Sequence, residues 1–435
     1  MNYRLSTYSI PLEWDKNKYV FSSRSKVLVK IPVLLWEGLI KGKGFSMEAL
    51  SSNPLIEKLH KTYILASEDE DEQYYNKLKI DYLSSSFQNS HLSLTILPTQ
   101  TCNLCCPYCF EGEKTKASMT ESVQDALIRF ITTRSIKTYS ITWFGGEPLL
   151  GPDIIESILE KLLEHPEIKC TYHSIVTNGT LLNNQAEKLF TRFPLNSIQI
   201  TLDGKKNKHD LVRYDAKGNG TFEIIKENII TFAKRFPSTH ISIRVNVSKD
   251  NMADFYDVYA GVAEWFKSNR ITNYHVYPGI IKMVEGGFVS STCLNRAEQQ
   301  DFYLKLSQKG MNFFGYPKNK MGGCTATTSM SMVVGAKGDI FKCWEDVGKD
   351  NLMVGSLMNK DYYNDTLLSD YLLKGSKFAS EECRRCGYLP ICSGGCPKER
   401  IGGNSVRPNQ CTLYSINEGR LLKTVLKDKL KPEDR

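Results

Sequence analysis

The sequence predicts an α/β chain built around a six-stranded parallel sheet, open or curled as a partial barrel, and followed by a loop-rich region. Three observations carry this. Apolar runs with strand periodicity alternate with helical patterns from His91 to about Tyr277, regular periodicity fades from Met321 to Cys411, and seven of the thirteen cysteines fall from Cys324 onward. A chain of 435 residues suits two or three domains. The expected division is a small α+β unit at 1–90, the sheet at 91–310, and the cysteine-rich region with a closing helix at 311–435.

In the first part, strand-like runs at Tyr8 to Leu12 and Lys26 to Ile31 precede a helix-like stretch. The acidic run Glu68 to Glu72 suits a helix N-terminus, where negative charge opposes the helix dipole favourably, or a solvated loop. Polar Ser84 to Ser90 suits a linker. Strands are then expected at Leu92 to Leu97, Ser140 to Phe144, Tyr172 to Val176, Ser197 to Leu202, Ile241 to Val247 and Tyr274 to Tyr277. Between them lie helical patterns at Thr120 to Thr132, Ile154 to Leu163, Asn184 to Phe190, Phe222 to Lys234 and Asp254 to Lys267. In parallel sheets of this kind, chemistry belongs at the carboxyl ends of the strands. A last helical pattern covers Ser415 to Leu430.

Composition narrows the function classes. Hydrophobic residues at 41% and charged residues at 24% are the balance of a globular protein. Apolar runs such as Ile31 to Trp36 end long before a bilayer is spanned, so no membrane association is expected. The net charge of +8 is modest, and no basic run with interleaved aromatics suggests nucleic acid. With no secretory signal in the opening residues, the expected compartment is the cytoplasm, where thiols stay reduced.

Reduced cysteines in clusters are metal-ligand candidates. Directly after the first sheet strand, Cys102, Cys106 and Cys109 form Cys-x3-Cys-x2-Cys. Three thiolates on a tight loop can hold three irons of a four-iron cubane and leave the fourth open to a small chelating ligand. Thiolates also suit zinc, although a zinc site wants four protein ligands and no histidine is close in sequence. Cys105 lies off the pattern and reads as a bystander. Gly145-Gly146-Glu147-Pro148 follows the second strand, Thr177-Asn178-Gly179-Thr180 the third, and Asp203-Gly204 the fourth, with Arg213 shortly after. Taken singly these read as turns before helices and, for Arg213, a surface ion pair; together they occupy the ends of successive strands.

This constellation resembles the radical S-adenosylmethionine (SAM) superfamily, whose signature is the same cysteine spacing with an aromatic before the last cysteine, here Tyr108. The resemblance implies a partial (β/α)6 TIM-type barrel and a [4Fe-4S] cluster on Cys102, Cys106 and Cys109. It implies S-adenosyl-L-methionine contacts from Gly145, Gly146, Glu147, Asn178, Asp203 and Arg213, with Glu147 meeting the cofactor's amino group and Arg213 its carboxylate.

The tail Cys324…Gly338-x4-Cys343…Cys383-x2-Cys386-x5-Cys392-x3-Cys396…Cys411 resembles the seven-cysteine SPASM domain, which accompanies many peptide-modifying members. A zinc ribbon on Cys383, Cys386 and two later cysteines is the alternative. The resemblance implies one auxiliary cluster on Cys383, Cys386, Cys392 and Cys411 and another on Cys324, Cys343 and Cys396, hence three [4Fe-4S] clusters in all. No eighth cysteine follows between Thr325 and Met332, which leaves the fourth ligand of that second site open. Cys170 and Cys293 match nothing and are expected to be core thiols.

The implied activity is reductive cleavage of the cofactor to a 5′-deoxyadenosyl radical, followed by net oxidation of a ribosomally made precursor peptide: a crosslink, a thioether or a dehydrogenation. The N-terminal unit resembles, in composition only, the leader-recognition domains of peptide maturases, which pair a peptide with an exposed sheet edge. A flavodoxin- or ferredoxin-type protein is the implied electron donor. The alternatives are a sulfatase-type maturase forming formylglycine on a small protein, and a non-enzymatic electron-transfer or zinc-binding scaffold. No residue is assigned as catalytic acid or base.

Overall fold

A computed structural model of the chain describes residues 2–109, 116–282, 292–402 and 411–427. They form two compact units, one of Gln88–Leu294 with Ser329–Leu368, the other of Met1–Phe87, Asn295–Thr328 and Ser369–Arg435.

The chain begins with β1 (Arg4–Leu5), β2 (Ser9–Trp14), β3 (Asn17–Ser22) and β4 (Leu28–Lys30), then α1 (Val33–Ile40), α2 (Met47–Ser52), α3 (Pro54–Lys61), β5 (Leu65–Ala66) and α4 (Glu68–Ser86). β2, β3 and β4 make an antiparallel sheet in that order. The acidic run is a helix N-terminus: Ser67 caps the Glu70 amide while the Glu70 carboxylate takes the Ser67 amide, a reciprocal capping box. The expected linker at Ser84 to Ser90 is instead, in its first three residues, the last turn of α4. Serine there tolerates a helix whose Tyr75, Leu78 and Tyr82 are already buried.

These N-terminal elements share their core with the far end of the chain. Ile10, Leu12, Trp14, Tyr19 and Phe21 pack with Leu304, Ile391, Leu413, Leu421, Leu422 and Leu426. Tyr8, Tyr75, Leu78 and Tyr82 pack with Phe378 and Leu389. The final helix is Arg420–Lys427, shorter than expected at its start because Glu418 takes a positive φ of 53°; positions 428–430 lie outside the described residues.

The other unit holds the parallel sheet: β6 (His91–Ile96), β7 (Thr138–Trp143), β8 (Lys169–Thr177), β9 (Ser197–Leu202), β10 (His240–Val247) and β11 (Tyr274–Ile280). Each pairs in parallel with its predecessor. The connecting helices are α5 (Glu121–Thr132), α6 (Pro152–Leu163), α7 (Asn184–Arg192), α8 (Lys206–Val212), α9 (Phe222–Arg235) and α10 (Phe255–Ser268). Strict alternation sets the two faces. Leu92, Leu94 and Ile96, and likewise Ile198, Ile200 and Leu202, are fully buried, while the residues between them stay half-exposed. The half-exposed row is mostly polar, with Thr95, Thr142, Gln199, Thr201, Arg244 and Tyr277 among its members and Val176 as an apolar exception.

The sheet continues beyond β6, which the sequence did not disclose. β12 (Ser331–Val334) lies parallel to β6, and β13 (Asp339–Phe341) and β14 (Gly355–Ser356) follow antiparallel. Strands of two to four residues are too short for periodicity to register. Their core is Val333, Phe341 and Val347 with Leu97.

Candidate active site

The loop after β6 is held in place residue by residue. Gly145 and Gly146 follow β7, and side chains there are sterically impossible: a Cβ on Gly145 would stand 2.3 Å from the Thr99 carbonyl oxygen, and one on Gly146 2.3 Å from that of Thr101. The Glu147 amide donates to the Thr101 carbonyl at 2.9 Å. Thus Gly-Gly-Glu is the seat against which the chain runs into Cys102. Further along, Leu104 bridges to Asp215 and the Cys105 amide donates to the Tyr214 carbonyl at 2.9 Å, tying the loop to the segment after Arg213.

Glu147 has no exposed surface. Its Oε1 accepts from Thr177 Oγ1 at 2.7 Å and the Leu149 amide at 3.1 Å, and its Oε2 from the Asn178 amide at 2.7 Å. Burial raises its pKa, and these three bonds only partly oppose that. A carboxylate has about four acceptor positions, so one remains for a further donor. Asn178 turns its side chain to the cysteine loop: Nδ2 donates to Asn103 Oδ1 at 2.8 Å and reaches Cys102 Sγ at 3.8 Å. Thr180 closes this net through Asn178 Oδ1 and Asn103.

Asp203 and Arg213 make a second knot. Arg213 Nε donates to Asp203 Oδ2 at 2.6 Å, Tyr108 hydroxyl donates to the same oxygen at 2.7 Å, and Arg213 Nη2 donates to the Tyr108 oxygen at 2.7 Å. Asn246 Nδ2 donates to Asp203 Oδ1 at 2.9 Å. Burial works against the charged Asp203, but the charge of Arg213, His209 and the hydrogen bonds from Tyr108 and Arg213 together outweigh it and hold the carboxyl below its ordinary range. Arg213 is only 8% exposed, so the ion pair is buried rather than on the surface. Nearby, burial lowers the pKa of His209 to about 4, and its neutral ring takes the Asp203 amide on Nδ1 at 3.2 Å. The sequence reading missed Asn103 and Asn246. Asn246 had a signal, an amide between Val245 and Val247 at the end of a strand; Asn103 had none apart from its neighbours.

The cysteines themselves are all free thiols. Cys102, Cys106 and Cys109 are half-buried within eight residues. The Leu104 amide lies 3.5 Å from Cys102 Sγ, and the Cys109 amide donates to the Cys106 carbonyl at 3.2 Å. Arg213 lies within electrostatic range of Cys106. Three soft donors beside a buried cation and amide groups suit an anionic iron–sulfur cluster. Among the described residues no three His, Cys, Asp or Glu side chains converge to hold one metal ion. A cubane takes one thiolate per iron, so its ligands need not meet at a point.

Of the C-terminal set, Cys386 is within electrostatic reach of Cys392, Cys383 and Cys411, and burial together with these neighbours pushes its thiol up to about 11. Cys324 and Cys396 each begin a short helical turn, Thr325–Thr327 and Pro397–Ile401, and the two turns pack together. Cys343 belongs to the sheet unit, where Trp344 beside it stacks on Phe144 at a centroid distance of 6.1 Å. Cys105 is exposed, in keeping with a bystander. Cys170, expected in the core, is exposed, because β8 starts with four exposed residues before its buried section. Cys293 is half-buried.

Residues 96–260 match the Radical SAM superfamily model. The chain carries a radical SAM domain, and it is an enzyme. It is 24% identical over 348 residues to the cysteine-type anaerobic sulfatase-maturating enzyme of Clostridium perfringens strain 13, covering 71% of this chain and 90% of the relative. It is 23% identical over 417 residues to the radical SAM cyclopropyl synthase TigE of Paramaledivibacter caminithermalis, covering 85% and 82%. Streptococcus suis SuiB bound to its precursor peptide SuiA shares the fold with a TM-score of 0.54 at 16% identity, covering 96% of this chain and all of that one. The radical SAM domain implies SAM and an iron–sulfur cluster. No helix among the described residues is long and apolar enough to cross a membrane.

Proposed function

We propose that this enzyme oxidatively modifies a ribosomally made peptide in the cytoplasm, using three [4Fe-4S] clusters: one on Cys102, Cys106 and Cys109, one on Cys383, Cys386, Cys392 and Cys411, and one on Cys324, Cys343 and Cys396. Cys102, Cys106 and Cys109 would hold the first cluster, and with SAM bound beside it this group would supply radical hydrogen-atom abstraction chemistry. The chain's own residues seat and orient them. Glu147 offers its remaining acceptor position to an ammonium group, Asn178 lies beside the loop's first thiol, and the Asp203–Arg213 pair presents a fixed guanidinium at the strand ends. The observation that supports this most is the convergence of Glu147, Asn178, Asp203 and Arg213, from three different strand ends, on one cysteine loop.

A peptide substrate is supported by the edge of the N-terminal sheet. Ser22 donates to Val27 and Ile31 to Lys18, so Val27, Val29 and Ile31 face β3 and the backbone of Leu28 and Lys30 faces outward. No strand pairs on that side among the described residues. On the opposite edge the outward positions are Ser9, Pro11 and Glu13, and Pro11 has no amide to give. We assign leader-peptide pairing to β4, the edge with its donors intact.

The sulfatase-maturase reading stands second, favoured by the 90% coverage of the Clostridium relative. Anaerobic incubation with SAM, a reductant and candidate peptides separates the two. A peptide that loses two hydrogens in step with 5′-deoxyadenosine formation is the expected result. Formylglycine in a sulfatase peptide instead selects the second reading, and no 5′-deoxyadenosine from cluster-replete protein contradicts both.

A further inference from the structure

Three cations close on the Cys383, Cys386, Cys392 and Cys411 set, each through a different cysteine. Arg400 Nη2 donates to Cys383 Sγ at 3.4 Å, and its Nε to the Gly394 carbonyl at 2.5 Å. Gly394 in turn directs its amide to Cys392 Sγ at 3.3 Å. Lys377, only 3% exposed, spends its three ammonium hydrogens on the carbonyls of Lys320 at 2.7 Å, Leu389 at 2.9 Å and Cys392 at 2.8 Å. Arg296 donates through Nη2 to the Cys411 carbonyl and through Nη1 to Gln299 Oε1 at 3.0 Å. Its Nε is buried with no hydrogen-bond partner among the described residues. Glu399 lies within electrostatic range of Arg296. No carboxylate among the described residues forms a salt bridge with Lys377 or Arg400.

Burying the Lys377 ammonium on neutral carbonyls costs several kcal/mol unless an anion is at hand, and Arg296 and Arg400 are half-buried. The anion on which the contacts of all three converge, among the described residues, is the one the four thiolates would carry, since a four-iron cluster on four thiolates has a net charge of about minus two. We infer that Arg296, Lys377 and Arg400 form a cationic cage that raises the reduction potential of the cluster on Cys383, Cys386, Cys392 and Cys411. This rests on the proposed ligand set. Positive charge and N–H···S bonds both stabilise the reduced, more negative state, and both are present here.

Voltammetry of the reconstituted full-length holoenzyme, with iron counted for every variant, tests it. In Arg400→Gln and Lys377→Met, one reduction wave is expected to move negative while the others stay. The expected size is at least a tenfold change in the oxidised-to-reduced ratio at fixed potential, about 59 mV for one electron. Arg400→Lys, which keeps the charge, is expected to restore the wave. Full iron content with no wave displaced, or with all waves displaced together, overturns the cage. Replacing Cys383, Cys386, Cys392 and Cys411 by Ala without losing about four irons overturns the ligand set, whatever the waves do.

Discussion

Arg213 and Asp203 form a buried ion pair, with Tyr108 joined to each partner. Arg213→Met leaves a buried carboxylate with its cation gone, which is expected to cost about 3–5 kcal/mol in urea-induced unfolding. Arg213→Lys keeps the charge but not the fork, so it is expected to recover part of that stability and little of the SAM affinity. Equal stability of all three proteins would place the pair outside the account. Gly146→Ala sets a Cβ 2.3 Å from the Thr101 oxygen and 2.6 Å from that of Gln100, both backbone atoms with nowhere to move. It is expected to displace the cysteine loop and lower iron by about four per chain, measured by colorimetric assay, whereas unaltered iron contradicts the seating role. Cysteine spacing and Gly-Gly-Glu were legible because a motif is local. Asn103, Asn246 and the cations around the C-terminal thiols were not, since their partners are fixed only by folding.

At the scale of elements, alternation of apolar and polar residues placed all six parallel strands, and the acidic run from Glu68 to Glu72 marked the N-terminus of α4. What failed to show were β3, which opens on polar Asn17 and Lys18, and the short strands β12 to β14; these draw their stability from partners rather than from their own pattern. The edge of β4 yields an element-scale prediction. Lys30→Pro removes an outward amide while sparing the ladder to β3, and precursor-peptide binding is expected to weaken about tenfold, or 1.4 kcal/mol. Glu13→Pro, on the edge already blunted by Pro11, is expected to leave that affinity as it was. Fluorescence anisotropy with a labelled leader peptide measures both. Equal affinities in the two variants would remove β4 from the peptide site. Point substitutions suit this question better than truncation, because Leu12, Tyr19 and Phe21 share a core with Leu413 and Leu422.

Across the whole molecule, the cysteines are distributed over both compact units, with the first three in the sheet unit and six of the last seven in the other. Such a chain is read from its sequence more readily than most, because clusters demand particular residues where a hydrophobic core accepts many. The shared core of the chain's two ends was hidden for the opposite reason: nothing in Leu12 or Leu422 names its partner. Cys102, Cys106 and Cys109 would leave a single iron of their cluster without a protein thiolate. Electron paramagnetic resonance of the reduced, anaerobically reconstituted enzyme, with and without SAM, addresses it directly. A four-iron signal is expected that changes shape when SAM is added and is absent from the variant with all three cysteines replaced by Ala, which keeps about eight irons. Zinc at that loop, or an iron signal indifferent to SAM, would contradict it.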